Sequence, residues 1–312
     1  MLMQDSLSKA SPAGVRPDLL TLPEPLSAYL AGENAPSLAL MQLLLHCGSV
    51  RACEQMLEAA GAHGSTLDSI QRQRLDELRQ LLASRRERCE GLEPLLRADP
   101  PNDEAGQDSV SGWARFFDAA VAQSAPASVA LYSLGDPELL RAATAEVAGY
   151  FAEQGLLGPA RRILQIGCGI GRFEAVLAPL VAEAHGIDIS PGMIDAARQH
   201  CAGLINVHLA CCSGKDLARF EDASLDMVYA VDSFPYLHES SGALLDTHFA
   251  ETARVLAPGG DLLILNFSYR NDPEQDSRDI KGLAGVHGFE VLVDGAQPFR
   301  LWDGRVWRLR LA

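Results

Sequence analysis

The stretch RRILQIGCGIGRFEAVL, Arg161 to Leu177, decides the fold. Ile163, Leu164 and Ile166 make a short apolar run of the kind that forms a buried strand. Three alternate glycines follow at once, Gly167, Gly169 and Gly171, and then a helix-like segment. Glycines at the tip of a strand let backbone N–H groups approach a ligand closely, because no Cβ intervenes. The stretch therefore predicts a strand, a ligand-holding turn and a helix in succession.

Downstream the same alternation continues. Strands are expected near 163–167, 184–189, 205–210, 226–231, 261–267, 289–294 and 305–311, and helices near 171–181, 191–202, 241–256 and 276–286. Strand and helix in turn predict an α/β, doubly wound, Rossmann-like and mostly parallel sheet covered on both faces. GFEVLVDG and GRVWRLRL have no helix between them and should pair antiparallel. Upstream the text differs. Residues 1 to about 35 are Pro-rich, and helical periodicity follows, with Leu67, Ile70, Leu75, Leu78, Leu81 and Leu82 on one stripe that Ser65 or Thr66 can cap. Arg97 to Gly112 reads as a linker or exposed loop, and two helices come next, the second capped by Asp136. The expected division is a helical module over 1–110, serving as a lid or for dimerisation, and an α/β domain over 111–312.

Bulk composition narrows the partners. The 312 residues carry 41 acidic against 26 basic side chains, a formal charge of −15, which would repel nucleic acid over most of the surface. The first residues lack a basic start followed by an apolar run, and no apolar stretch is long enough to span a bilayer. A cytoplasmic protein with no membrane partner is expected. Seven cysteines without a C-x-x-C pair suggest reduced thiols rather than a disulfide framework, and the eight histidines show no metal-ligand spacing.

Two ligands compete for the glycine turn. A dinucleotide calls for G-x-G-x-x-G, whereas the spacing here is G-x-G-x-G. S-adenosylmethionine has no phosphate and wants a carboxylate at the end of the second strand for its ribose hydroxyls. Asp188 in AHGIDISPGMIDAAR stands there, and Met193 on the next helix can pack against an adenine. Taken in order, ILQIGCGIGRF, GIDISPGMIDAAR, SLDMVYAVDSFPYL and ETARVLAPGGDLLIL resemble a class I S-adenosylmethionine-dependent methyltransferase over about residues 130 to 312. The resemblance implies a seven-stranded sheet with the last strand antiparallel and inserted near one edge. It also implies cofactor contacts at Gly167, Cys168, Gly169 and Gly171, at Asp188 with Ile189, at Ser213 and Gly214, and at Val231, with Tyr132 as an aromatic over the donor. Ser213 departs from the family, which often has Asp there. APGG, Ala257 to Gly260, corresponds to the family's turn into the fifth strand.

The acceptor is less legible. Methyl transfer from a sulfonium asks chiefly for alignment and exclusion of water, with a base when the acceptor is a hydroxyl or ammonium. AVDSFPYLHES offers Asp232, Tyr236 and His238 as polar groups facing a substrate, and SFPY resembles the [DNS]-P-P-[FYW] motif of amine methyltransferases, with Phe234 in place of the first Pro. Arg270 in LNFSYRND is set either to clamp a substrate carboxylate or to pair with Asp272 or Glu274. Phe299 and Trp302 are rim aromatics or packing residues. A small-molecule methyltransferase of biosynthesis is the leading expectation. An S-adenosylmethionine-consuming cyclase that releases methylthioadenosine and a non-catalytic cofactor-binding protein are the alternatives.

Overall fold

The computed structural model describes residues 22–62, 67–98 and 109–312. The chain divides into two compact units. One holds residues up to 99 with 123–143 and 300–303, and the other holds 100–122, 144–299 and 304–312.

The first unit is helical. Its early elements are α1 (Glu24–Ala31), α2 (Pro36–Cys47), α3 (Val50–Ala62), α4 (Ser69–Ser84) and α5 (Arg86–Leu96). Pro25 and Pro36 sit in the first turns of α1 and α2, where a missing N–H removes no helical hydrogen bond. Helix α2 is the apolar centre, with Leu38, Leu40, Leu43 and Leu44 all buried. Helix α4 starts at a capping box: Asp68 accepts from the Gln71 N–H, and the Gln71 side chain accepts from the Asp68 N–H. Ser65 and Thr66, the expected caps, lie outside the described residues. Of the expected stripe, Leu75, Leu78 and Leu82 are buried, while Ile70 is 60% exposed. Asp136 is buried and paired with Arg85 (2.6 Å) and Arg88 (3.3 Å), and it caps the next helix by accepting from the Glu138 N–H. Burial alone would raise this carboxyl, but Arg85, the Glu138 N–H and Arg88 outweigh it and hold it below the ordinary value.

Helices α6 (Ser109–Gln123), α7 (Ala125–Val129) and α8 (Pro137–Glu153) lead into the sheet of the second unit. Its strands are β1 (Gly158–Ile166), β2 (Val181–Asp188), β3 (Val207–Cys211), β4 (Leu225–Val231), β5 (Leu256–Leu265), β6 (Phe289–Ala296) and β7 (Val306–Leu311). They lie in the order β3-β2-β1-β4-β5-β7-β6. All pairs up to β5 are parallel, and β7 enters antiparallel between β5 and β6. The intervening helices are α9 (Arg172–Leu177), α10 (Pro191–His200), α11 (Phe234–Ser240), α12 (Gly242–Val255) and α13 (Pro273–His287). β1 and β4 bury Leu164, Ile166, Val228 and Ala230, and Phe234, Phe249, Phe267 and Trp307 fill one face of the sheet. Burial of each such side chain is worth about 1.5–3 kcal/mol, which fixes the strand register.

One expected turn is not a turn. APGG lies inside β5, which begins at Leu256. The register passes from Leu225↔Leu256 to Met227↔Asp261, so the extra residues bulge out of the ladder. Strand order reverses at β1, which has β2 on one side and β4 on the other, so the carboxyl ends of these strands open the crevice where such sheets take ligands. Among the described residues, no helix is long and apolar enough to cross a membrane.

Candidate active site

The glycine turn is built to stay open. Gly167, Gly169 and Gly171 all have left-handed backbone, with φ of 71°, 53° and 73°. A Cβ on Gly167 would stand 2.6 Å from the Ser233 Cβ, and one on Gly171 would stand 3.0 Å from Ala197 and the Cys201 sulfur. The turn is thus pressed against the start of α11 on one side and α10 on the other. The N–H groups of Gly167 and Cys168 both donate to the Ile187 carbonyl, tying the turn to β2. Cys168 is buried, and burial with the nearby acids Glu174 and Asp188 holds its thiol well above the usual value. It is a neutral packing group with its backbone at the turn.

Asp188 ends β2 and is 8% exposed. One carboxylate oxygen accepts from the Gly169 N–H (2.8 Å) and the other from the Ser190 N–H (2.9 Å). Burial raises its pKa and these N–H groups lower it, with a net upward shift to which Asp118 adds by repulsion. Asp118, on α6, is a residue that sequence reasoning missed. Its carboxylate accepts from the Ser190 hydroxyl (2.6 Å) and the Gly192 N–H (2.9 Å), while Ser190 itself caps α10 by accepting from the Met193 N–H. Its only sequence signal is an acid in the aromatic and alanine-rich WARFFDAAVA, and nothing in that spacing links it to position 190. Met193 is buried beneath this cap, and Ile189 and Val110 close on Gly214, where a Cβ would meet them at 2.6 and 2.9 Å. Ser213 is exposed and accepts from the Lys215 N–H.

These charges test what the crevice can hold. Two carboxylates, Asp188 and Asp118, stand at the end of β2. Ribose hydroxyl donors and a cationic sulfonium are favoured beside them. The residues present therefore fit a nucleoside with a free ribose diol and a positive charge, and the G-x-G-x-G spacing of the turn departs from the dinucleotide pattern.

A second cluster forms at the ends of β4 and β5. Val231 is buried as the last residue of β4. Asp232 and Asn266, which follow the two strands, are both left-handed, with φ of 56° and 65°. Such backbone at a non-glycine residue costs about 1–3 kcal/mol and persists only where the surroundings hold it. Here they do. The Asn266 amide donates to the Asp232 carboxylate (2.7 Å), the Tyr269 hydroxyl donates to the same oxygen (3.3 Å), and the Asn266 carbonyl accepts from the Arg305 N–H (2.9 Å). Tyr236 packs edge-on against Trp113 (4.5 Å), Phe117 (5.2 Å) and Tyr269 (5.9 Å). Burial pushes the phenols of Tyr236 and Tyr269 up, so both remain neutral.

His238 and Arg270 are drawn together elsewhere. The Arg270 guanidinium pairs with Asp276 and Asp279, both at 2.6 Å, rather than with Asp272 or Glu274. Asp272 instead caps α13 by accepting from the Gln275 N–H. Arg270 lies 3.4 Å from His238 Nε2, and because guanidinium only donates, that nitrogen must be the acceptor and the ring neutral. Burial first, and then Arg270, lower the His238 pKa. The expected clamp is thus occupied within the chain, and the imidazole lone pair is engaged with it. Tyr132 belongs to the first unit, where it is buried and stacked on Trp302 (6.2 Å), while Phe299 packs on Tyr150 in the second.

Sequence reasoning also missed Glu174, in the first turn of α9. It is 0% exposed and its carboxyl is pushed up to about 8, chiefly by burial. Its own backbone N–H, the Tyr229 hydroxyl and the Arg172 guanidinium pull that value only part of the way back.

Comparison with known proteins agrees with this geometry. A methyltransferase-domain family model matches residues 163–260, the span from β1 into the bulge of β5. Over that span the chain matches the methyltransferase-domain family, and with the seven-stranded sheet order this supports a class I, S-adenosylmethionine-dependent methyltransferase. Phosphoethanolamine N-methyltransferase 1 of Arabidopsis thaliana is 29% identical to it over 151 residues, 47% of this chain and 28% of that protein. Demethylmenaquinone methyltransferase of Tropheryma whipplei is 36% identical over 107 residues, 34% of this chain and 42% of that protein. The matched region spans less than half the length of either relative. Among solved structures, phosphoethanolamine N-methyltransferase 1 of Haemonchus contortus, in complex with phosphoethanolamine and S-adenosylhomocysteine, shares the fold. Its TM-score is 0.51 at 16% identity, covering 67% of this chain and 50% of that one.

Proposed function

We propose that this chain transfers the methyl group of S-adenosylmethionine to the nitrogen or oxygen of a small biosynthetic acceptor. The observation that carries this reading is the buried Asp188 carboxylate, locked by the Gly169 and Ser190 N–H groups beside the open glycine turn at the reversal of strand order. The cofactor supplies an electrophilic methyl already activated by its sulfonium charge. Asp188 accepts the ribose hydroxyls with its remaining lone pairs, Met193 and Ile189 bound the adenine, and Gly214 leaves room beside them. The backbone of Gly167 to Gly171 holds the amino-acid end. Asp232 and Tyr236 orient the acceptor, and Asp232 takes the proton that the acceptor gives up. Trp113, Phe117 and Tyr236 exclude water from that wall, which strengthens each polar contact inside it. His238 and Arg270 shape the rim from α11 and the segment after β5.

The seven free thiols fit a reducing, cytoplasmic compartment. The helical first unit is read as the surface through which two copies pair, and a monomer mass by sedimentation would contradict that. The function itself is tested by incubating the full chain with S-adenosylmethionine and a panel of amine and phenol acceptors. Acceptor-dependent S-adenosylhomocysteine is expected. Methylthioadenosine released without acceptor would establish the cyclase instead, and no turnover with intact binding would leave a binding protein.

A further inference from the structure

His185 and His208 face each other across β2 and β3, with imidazole rings stacked at 4.8 Å and 27°. Glu183 precedes His185 by two residues and so shares its face of β2. Its carboxylate lies 3.1 Å from His185 Nε2, and the ligating atoms of all three residues fall within 4.8 Å of one another. β3 is the edge strand of the sheet, and a cavity of about 410 Å³ opens there, lined in part by His185, His208, Arg198, Arg219 and Phe220. None of these residues belongs to the crevice described above.

We propose that Glu183, His185 and His208 form a divalent transition-metal site at this edge, with zinc the fitting ion and its fourth position open to the cavity. Two imidazoles and one carboxylate are a donor set that zinc takes with three protein ligands and one exchangeable position. A tetrahedral ion with bonds near 2.0–2.1 Å holds its donors about 3.3 Å apart. Glu183 and His185 already stand at that spacing. All three donors already lie within 4.8 Å of one another, and the His208 ring is exposed on the edge strand, where rotation to close the remaining gap meets little resistance. The paired register fixes the two histidine backbones, so the site is preorganised by the sheet. Arg198, itself paired with Asp195, and Arg219, which lies over Phe220, also line the cavity. They oppose a bare dication and favour an anion, such as hydroxide or chloride, as the fourth ligand.

The test is calorimetric titration of zinc chloride into the chelator-treated full chain, with His208→Ala, His185→Ala and Glu183→Gln in parallel. One equivalent is expected to bind, weakened about tenfold or more in each variant. His208 is exposed, so its alanine variant should melt as the parent does in chelator. Cobalt loaded in place of zinc should show a spectrum without thiolate charge transfer. The proposal is overturned if no zinc binds at about 100 μM, if His208→Ala binds as the parent does, or if cobalt reports sulfur ligands from the cysteines. It is equally overturned if inorganic phosphate stabilises the protein and zinc does not, which would make the pocket an anion site.

Discussion

Replacing Glu174 by glutamine should stabilise the protein, and by an amount that depends on pH. The side chain is wholly buried, and its carboxyl titrates near 8 in the folded chain against an ordinary 4.5. Between those values the unfolded chain is ionised there and the folded chain is protonated. The folded state binds the extra proton, so its stability falls as pH rises through the window, by about 1.4 kcal/mol per pH unit. Integrated, the penalty is about 3 kcal/mol at pH 7 and about 5 kcal/mol above pH 8, and it vanishes near pH 4. The first turn of α9 favours a negative charge by only about 0.3–1 kcal/mol, too little to offset it. Glutamine keeps the volume and the polar group but cannot ionise. Urea unfolding of parent and Glu174→Gln at several pH values between about 5 and 9 reads the difference directly. The gap should open steadily with pH and close at the acid end. A constant gap, or a variant less stable than the parent at pH 8, would refute the assignment of Glu174 as a buried acid that stays protonated at neutral pH.

Other perturbations probe the remaining parts. Arg85→Ala leaves Asp136 buried beside Arg88 alone and should cost about 2–4 kcal/mol at neutral pH. Because the folded Asp136 pKa is depressed, that loss should persist above the ordinary carboxylate value and fade as pH falls through the folded one. Gly167→Ala meets both a left-handed φ and the Ser233 side chain, so a loss of about 2 kcal/mol or more in urea melts is expected, together with weaker cofactor binding. Asn266→Ala removes one donor from Asp232 and orphans the Arg305 N–H, which should cost about 1–3 kcal/mol. Asp232→Ala should lower kcat while leaving S-adenosylhomocysteine affinity within about threefold, and equal turnover would remove Asp232 from the acceptor wall.

The parts of this protein that could be read from its residues are those set by local rules. Alternate glycines after an apolar run can only be a tight turn at a strand end. Strands alternating with helices through most of the second unit favour a parallel sheet, and β6 and β7, which have no helix between them, do pair antiparallel. What stayed hidden depends on distant register. Asp118 reaches Ser190 and Gly192 across 72 and 74 residues, and no local spacing reports it. The partners of Arg270 turned out to lie one turn further along α13 than a linear reading suggests, because the helix brings Asp276 and Asp279 onto one face. Glu174 reads as an ordinary polar residue near a helix start, and only its complete burial beside Tyr229 of β4 shows that it is sealed. His185 and His208 lie apart in the chain and meet solely through the β2–β3 pairing. APGG reads as a turn because Pro and Gly punctuate chains, yet a bulge uses the same residues within a strand.

The central claim is that a sulfonium nucleoside lies along the glycine turn with its sugar on the β2 carboxylate. Calorimetry with S-adenosylhomocysteine and, separately, an oxidised nicotinamide dinucleotide against parent and Asp188→Ala tests it most directly. Loss of two charge-assisted hydrogen bonds, about 1.5–3 kcal/mol each, predicts at least a hundredfold weaker S-adenosylhomocysteine binding in the variant and no dinucleotide binding in either. Unchanged affinity in Asp188→Ala, or tight binding of the dinucleotide, would contradict the account.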